Sequence, residues 1–133
     1  MIAGRIGTIR MTALATTIAM IGGTGYAYAD TIKVGVPMEL SGRFVAYGAS
    51  GRRGVEMAFE RFGTKVGEND IQILYRDVQS DAQATVSAIN ELVTVEKVDF
   101  MIGPTASPLV AASVPPWQQV KPTWIVNGSS GTQ

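Results

Sequence analysis

The sequence contains no cysteine and no histidine among its 133 residues. Their absence excludes a Cys nucleophile, a Ser-His-Asp triad and any metal site that uses histidine. It also excludes disulfides and a lipid anchor attached to an N-terminal cysteine. Aromatic residues make up only 8% of the chain, whereas 46% of it is hydrophobic, a content that suits one globular core.

Neither sign of charge is in excess, since 11 basic residues balance 11 acidic ones. Nucleic-acid binding therefore has no electrostatic basis in this chain. A Walker lysine motif is absent, and Gly48, Gly51 and Gly54 recur every third residue, which is not the spacing of a dinucleotide fingerprint. Close packing of a helix on a sheet explains these glycines better. We predict no nucleotide, no metal and no other cofactor.

The first 29 residues have the pattern of a secretory signal peptide. Two arginines, Arg5 and Arg10, precede an uncharged apolar run over residues 11–23, and an A-x-A cleavage site ends at Ala29. The apolar run is shorter than the ~20 residues of a membrane-spanning helix. We predict export and cleavage after Ala29. The mature chain would carry nine basic and eleven acidic groups, a net charge of −2, and would be free in the periplasm.

Beyond Asp30, short apolar strands alternate with amphipathic helices. Strands are predicted at residues 31–37, 71–75, 98–102 and 123–126. Helices are predicted at 49–62, at about 81–97 after an N-cap at Ser80 or Asp81, and from Pro108 onward. Pro115 and Pro116 should distort or shorten the third helix. The β-α-β-α-β-α-β order predicts an α/β fold with a doubly wound parallel sheet.

Two of the predicted helices carry apolar stripes that should face the sheet. The first stripe consists of Val55, Ala58, Phe59 and Phe62, and the second consists of Thr85, Ala88, Ile89, Leu92 and Val93. Trp117 lies on the apolar face of the third helix and Trp124 lies within a strand, so both are predicted to be core residues. Asp77 follows a strand and is predicted to cap the turn into the next helix.

Ligands of such sheets bind at the carboxyl ends of the strands, near the point where the strand order reverses. This rule selects three polar loops, at residues 38–48, 103–107 and 127–131. Ser107 either binds a ligand carboxylate together with neighbouring N–H groups or caps its own helix. Tyr47 either lines a cleft or packs on the surface. Ser129 and Ser130 alone favour a solvated turn.

Several segments, in order along the chain, resemble the leucine/isoleucine/valine-binding protein family. They are Ile32-Lys33-Val34-Gly35-Val36, Leu40-Ser41-Gly42, Ala46-Tyr47-Gly48, Gly54-Val55-Glu56-Met57-Ala58, Arg76-Asp77-Val78-Gln79-Ser80-Asp81 and Val98-Asp99-Phe100-Met101-Ile102-Gly103-Pro104. The resemblance covers residues 31–133. It implies two α/β lobes that close on a small ligand, and it implies no catalytic residues.

The resemblance also implies roles for particular residues. Tyr47 would face the ligand, Ser107 would donate its hydroxyl to the ligand carboxylate, and Thr105 is a weaker candidate from the same loop. Gly128 would contribute backbone groups, and Ser130 would contribute a hydroxyl, around the ligand carboxylate and ammonium. Each of these residues belongs to one of the three loops that the strand-end rule selects.

In that family a second lobe follows the first and supplies the acid that pairs with a ligand ammonium. We therefore interpret residues 30–133 as an incomplete N-terminal lobe, which should bind ligand weakly or not at all by itself. The function implied is substrate binding for an ABC importer: capture of an amino acid or similar small carboxylate and delivery to an inner-membrane permease, by a protein that is monomeric when complete. Two alternatives stay open. One is a ligand sensor of the same fold, and the other is an exported hydrolase that uses Ser129 or Ser130 with Lys97 or Lys121 as its base.

Overall fold

A computed structural model describes residues 30–128; the predicted signal peptide and Ser130 lie outside the described residues. Five strands are present in this part of the chain: β1 (Thr31–Met38), β2 (Lys65–Val66), β3 (Asn69–Asp77), β4 (Phe100–Ile102) and β5 (Thr123–Ile125). The helices are α1 (Val45–Phe62), α2 (Ala82–Asn90), which continues as a π-helical segment over Glu91–Val95, and α3 (Ser107–Trp117).

The strands form one sheet in the order β2-β3-β1-β4-β5. Strands β3, β1, β4 and β5 are parallel, which confirms the predicted doubly wound α/β arrangement. Strand β2 is antiparallel to β3, so the prediction of four parallel strands missed this edge strand. Residues 67 and 68 form a two-residue hairpin connection, with Gly67 at φ 61°, and Asn69 and Asp70 pair with Val66 and Lys65 of β2.

The strand order reverses at β1. The chain leaves β1 through α1 to reach β3 on one side, and α2 then carries it across to β4 on the other side. A crevice therefore opens beyond the carboxyl ends of β1 and β4, because the connections that follow these strands diverge to opposite faces of the sheet.

Helices cover both faces of β1. Val34, Val36 and Met38 pack with Val55 of α1 on one face. Gly35 faces the other way, where an added Cβ would lie 3.2 Å from Leu92, in the π-helical extension of α2. Because helices cover both faces of β1, residues 34–38 are all buried, and none of them has a polar side chain.

One of the two predicted apolar stripes is fully buried, and the other is buried only in part. All five stripe residues of α2 and its π-helical extension are buried, as predicted. Of the four predicted stripe residues of α1, only Val55 is buried; Ala58 is exposed and Phe62 is 79% exposed, so that part of the prediction was wrong. The face of α1 that contacts the sheet instead runs through Gly48, Gly51, Val55 and Phe59. Two of its members are glycines, which carry no apolar signal in the sequence.

The helix boundaries also correct the predictions. Helix α1 begins at Val45, four residues earlier than predicted, so Tyr47 lies in its first turn. Asp81 is the N-cap of α2 and accepts the N–H of Ala84 at 2.8 Å, as predicted. In α3 the N-cap is Ala106 and Ser107 is already helical, so the hypothesis that Ser107 is the cap was wrong.

Helix α3 continues through Pro115 and Pro116 to Trp117, rather than ending before them. Both prolines lie in its last turn, where Trp117 packs against the core cluster of Ile89, Leu92 and their neighbours. The indole N–H of Trp117 donates to the carbonyl oxygen of Pro122 at 2.8 Å, which anchors the end of the helix. Within residues 30–128, no helix is long and apolar enough to span a bilayer.

Candidate functional site

A cavity of about 540 Å³ lies at the carboxyl end of the sheet, beside the switch point. We call it the carboxyl-end cavity. Its lining comes from the start of α1, the loop after β4 with the start of α3, and the segment after β5. The lining residues are Phe44, Tyr47, Ser50, Gly51, Thr105, Ala106, Ser107, Pro108, Asn127 and Gly128.

The structure brings four of the five predicted site residues together around this cavity: Tyr47, Thr105, Ser107 and Gly128. The fifth, Ser130, lies outside the described residues. Ser50 and Asn127 also line the cavity but were not singled out from the sequence. Ser50 lies one helical turn after Tyr47, a relation that only the early start of α1 reveals.

Among residues 30–128, no charged side chain lines the carboxyl-end cavity. One wall is aromatic, with the Phe44 and Tyr47 rings 6.3 Å apart at 55°, and Tyr47 is 64% exposed. The opposite wall offers hydroxyl, amide and backbone groups. A lining with an apolar wall and a few placed polar groups suits a small ligand that carries both an apolar body and hydrogen-bonding groups.

A fully buried carboxylate organises the polar wall. Glu39, the first residue after β1, is 0% exposed. Its Oε1 accepts the N–H groups of Thr105 at 3.0 Å and Ala106 at 2.9 Å, and its Oε2 accepts the Thr105 hydroxyl at 2.9 Å. In the sequence Glu39 was one of several scattered acids. Its position directly after a buried strand could have marked it, because a carboxylate that is buried there needs hydrogen-bond donors.

Helix α1 approaches the backbone of Glu39 very closely. A Cβ on Gly48 would lie 2.1 Å from the carbonyl oxygen of Glu39, and one on Gly51 would lie 3.0 Å from the Met38 side chain. Gly54 has nothing within 4 Å of an added Cβ. The packing explanation for the three glycines is thus confirmed for Gly48 and Gly51 and wrong for Gly54.

The loop between β1 and α1 is also held by the turn after β3. The Asp77 carboxylate accepts the Ser41 hydroxyl at 2.7 Å and the N–H groups of Leu40, Ser41 and Gln79. The predicted role of Asp77 in its own turn is confirmed by the Gln79 contact, and the structure adds a second role. Burial by itself raises the pKa of Asp77, but these hydrogen bonds outweigh it and lower the pKa below its ordinary value.

Ser80 completes this attachment. Its buried hydroxyl donates to the carbonyl oxygen of Ser41 at 2.7 Å and accepts the N–H of Phe44 at 3.0 Å. Gly42, at φ 81°, leaves room for the contact, because a Cβ there would lie 2.7 Å from the Ser80 oxygen. The start of α1, and with it the aromatic wall, is therefore set by the turn after β3.

The segment after β5, which also lines the cavity, is held in place by Trp124 in β5. Its indole N–H donates to the carbonyl oxygen of Gly103 at 2.7 Å, and its ring lies 5.6 Å from that of Trp117. Both tryptophans pack against the core cluster, as predicted. Asn127 and Gly128 follow directly, so their position relative to the β4 loop depends on this hydrogen bond.

A second cavity, of about 600 Å³, lies at the opposite end of the strands. We call it the amino-end cavity. Its lining includes Asp30, Lys33, Glu96, Lys97 and Asp99. Lys97, a base considered for the hydrolase alternative, thus lies far from the carboxyl-end loops. Within the part of the chain that the structure describes, no group of three or more acidic side chains is arranged to hold a metal ion.

An uncharged cavity at the switch point of a doubly wound sheet is typical of α/β domains that bind small molecules. Comparison with known proteins identifies the kind of domain. Residues 31–132 match the model of the periplasmic binding protein family, and the chain belongs to that family.

The relatives include Leu/Ile/Val-binding protein homolog 6 of Brucella abortus, 36% identical over 90 residues, which are 67% of this chain and 23% of that protein. The substrate-binding protein of a Streptococcus pneumoniae branched-chain amino acid transporter, solved with isoleucine, has a TM-score of 0.71 and 27% identity over 76% of this chain and 30% of its own. A Rhodopseudomonas palustris solute-binding protein, solved with 4-hydroxybenzoate, has a TM-score of 0.69 and 31% identity over 75% and 27%. The chain thus spans about a quarter of the length of the curated relatives it matches.

Proposed function

We propose that this chain belongs to the substrate-binding component of an ABC importer, which captures an amino acid or a similar small carboxylate in the periplasm. Residues 1–29 would be the cleaved signal peptide, and residues 30–133 would be the first part of the N-terminal lobe. The partner would be a permease in the inner membrane, and the complete protein would be a monomer. The ligand would be bound and released without chemical change.

One observation carries this proposal: three strand-end loops converge on the carboxyl-end cavity and present an uncharged lining with one aromatic wall and one polar wall. The relatives support the choice of ligand class. The S. pneumoniae protein was solved with isoleucine and the R. palustris protein with 4-hydroxybenzoate. Both compounds combine a carboxylate with an apolar body, which is the combination that the two walls suit.

We assign Tyr47 to the apolar part of the ligand, because it extends the aromatic wall and is the more exposed of the two rings. We assign Ser107 to its carboxylate, Gly128 and Ser130 to its carboxylate and ammonium, and Thr105 to the polar wall. The N–H groups of Thr105 and Ala106 already donate to Glu39, and that of Leu109 donates to Ala106. The carboxylate would therefore be bound by donors other than these three.

The test is an NMR titration of the ¹⁵N-labelled mature chain with leucine, isoleucine, benzoate and 4-hydroxybenzoate up to millimolar concentrations. We expect saturable shifts of the amides of Tyr47, Thr105, Ser107 and Gly128 by at least one compound. The sequence left two outcomes open for a single lobe, weak binding and no binding. We expect weak, fast-exchange binding, because one lobe buries only part of a ligand but the carboxyl-end cavity keeps its own lining. Submicromolar affinity of the chain alone would contradict the interpretation of these residues as one incomplete lobe.

Matched variants localise the binding. Tyr47→Ala and Ser107→Ala should each weaken it about tenfold, the effect of one lost aromatic contact or one hydrogen bond to a charged group. Phe62→Ala, at the exposed far end of the same helix as Tyr47, and Ser87→Ala, an exposed serine of α2, should leave it unchanged. Shifts confined to the amino-end cavity, or full binding by both site variants, would refute the assignment.

A further inference from the structure

The hydrogen bonds between Glu39 and the loop after β4 have a direction that matters for a ligand. Glu39 receives three hydrogen atoms from this loop: the N–H groups of Thr105 and Ala106 and the hydroxyl hydrogen of Thr105. A carboxylate can only accept, so the Thr105 hydroxyl must donate to it. That hydroxyl then has only its lone pairs left to offer to other partners.

The charge of Glu39 acts in the same direction. The side chain is fully buried, and among residues 30–128 it takes part in no salt bridge with Lys or Arg. Its negative charge lies one hydrogen bond behind Thr105, a residue of the cavity lining. In a site partly shielded from water, this charge attracts a cationic or hydrogen-donating group and repels a carboxylate.

We infer that Glu39 is a positioning residue that makes Thr105 an acceptor for the ligand, so that the site selects ligands with a donor group, an ammonium or a hydroxyl, in addition to the carboxylate. The donor group would bind at Thr105, and the carboxylate would bind away from Glu39. This inference rests on the proposed function of the cavity. It adds a chemical requirement on the ligand, and it names the residue that imposes this requirement.

The test compares ligands that differ only in the donor group: leucine against 4-methylpentanoate, and 4-hydroxybenzoate against benzoate. Amide shifts of the ¹⁵N-labelled mature chain give the dissociation constants. We expect the chain to bind the donor-bearing member of at least one pair about tenfold more tightly, the usual effect of one hydrogen bond that involves a charged group.

Glu39→Gln is the informative variant. Its amide oxygen can still accept the N–H groups of Thr105 and Ala106, which places the new NH₂ group against the Thr105 hydroxyl oxygen. That hydroxyl must now accept, and its hydrogen becomes available to the ligand. We expect the preference for the donor-bearing ligand to disappear or reverse, an outcome that mere loosening of the loop would not produce.

Two variants of Thr105 complete the test. Thr105→Val should abolish the preference, and adding Glu39→Gln to it should change nothing further, because Glu39 acts through the hydroxyl. Thr105→Ser should keep the preference. If Glu39→Gln gives no dispersed NMR spectrum, that variant is not folded. The comparison of Thr105→Val with Thr105→Ser then tests the inference by itself.

The possible failures are distinguishable. If neither these four compounds nor isoleucine produces saturable shifts at the carboxyl-end cavity, the proposed function falls and this inference falls with it. If compounds bind there but neither pair shows a preference, only this inference is overturned. The same holds if the preference survives Glu39→Gln or Thr105→Val.

Discussion

The two ends of the sheet carry cavities of similar volume, about 540 Å³ at the carboxyl end and about 600 Å³ at the amino end. They differ in what lines them. At the amino end, charged side chains belong to the lining and contact their neighbours: Lys33 Nζ donates to the carbonyl oxygen of Glu96 at 3.0 Å, and Asp99 accepts the N–H of Lys33 at 2.9 Å. At the carboxyl end, the carboxylates of Glu39 and Asp77 lie behind the lining and hold its loops.

Cavity volume alone therefore does not identify a binding site. The polar groups of the amino-end cavity serve the sheet itself, since they tie β1 to the segment before β4. At the carboxyl end, buried groups behind the wall satisfy one another and orient a lining that is itself uncharged. A rigid wall of this kind reduces the entropy that ligand binding costs.

The largest effect that we expect comes from Gly48. Gly48→Ala would place a methyl group 2.1 Å from the Glu39 carbonyl oxygen, a backbone atom that cannot move aside easily. We expect the free energy of unfolding to fall by about 3 kcal/mol, measured by urea denaturation. Gly54→Ala, in the same helix with open space around it, should raise it by about 0.5–1 kcal/mol. Equal effects of the two substitutions would show that the carboxyl-end wall is not built on this close contact.

A smaller effect is expected from Asp77, and it depends on pH. Its pKa in the folded chain lies below the unfolded value of about 3.9, so its carboxylate stabilises the fold fully above that value and loses this effect as pH falls through the folded pKa. Asp77→Asn should therefore lower the free energy of unfolding by about 1 kcal/mol at neutral pH and by little at about pH 2.

Urea denaturation at several pH values measures the difference between parent and Asp77→Asn. Ser41→Ala, which removes one of the four hydrogen bonds to Asp77, should show the same trend at a smaller size. A difference that grows as pH falls would contradict the direction of the pKa change.

The smallest effect should come from the amino end. Lys33→Met removes the Nζ contact with Glu96 but keeps most of the aliphatic side chain, so we expect a loss of about 0.5–1 kcal/mol in stability. Ligand-induced shifts at Thr105 and Gly128 should not change. Lys65→Met, which removes an exposed ion pair with Asp70 on the edge hairpin, should have a smaller effect still. If Lys33→Met changed the ligand affinity, the amino-end cavity would not be separate in function from the carboxyl-end cavity.

The sequence predicted some elements well and others poorly, for identifiable reasons. The stripe over α2 and its extension was correct because large apolar residues at helical spacing mark a buried face directly. The stripe of α1 was half wrong because glycines form part of its contact face. Strand β2 was missed because two residues, Lys65 and Val66, are too short to show a period.

The candidate site shows the same division. Tyr47, Thr105, Ser107 and Gly128 were found because the strand-end rule and the family resemblance select the same loops. Glu39 was not, since its position after a strand is its only local sign and its hydrogen-bond partners lie 66 and 67 positions away. Asn127 lies in one of the selected loops but was not singled out within it. The assignment of these residues to a ligand stays a prediction until the titrations are done.

By itself, the sequence determined the alternation of strands and helices, the type of fold and the loops at which a ligand is expected, because these follow from local apolar periods and turn residues. Only the tertiary structure decided which groups face the cavity and whether each of them donates or accepts hydrogen bonds. Whether the Thr105 hydroxyl donates or accepts depends on a carboxylate 66 residues earlier in the chain. The fold alone brings the two within hydrogen-bonding distance, because β1 and β4 are neighbours in the sheet and their carboxyl ends meet.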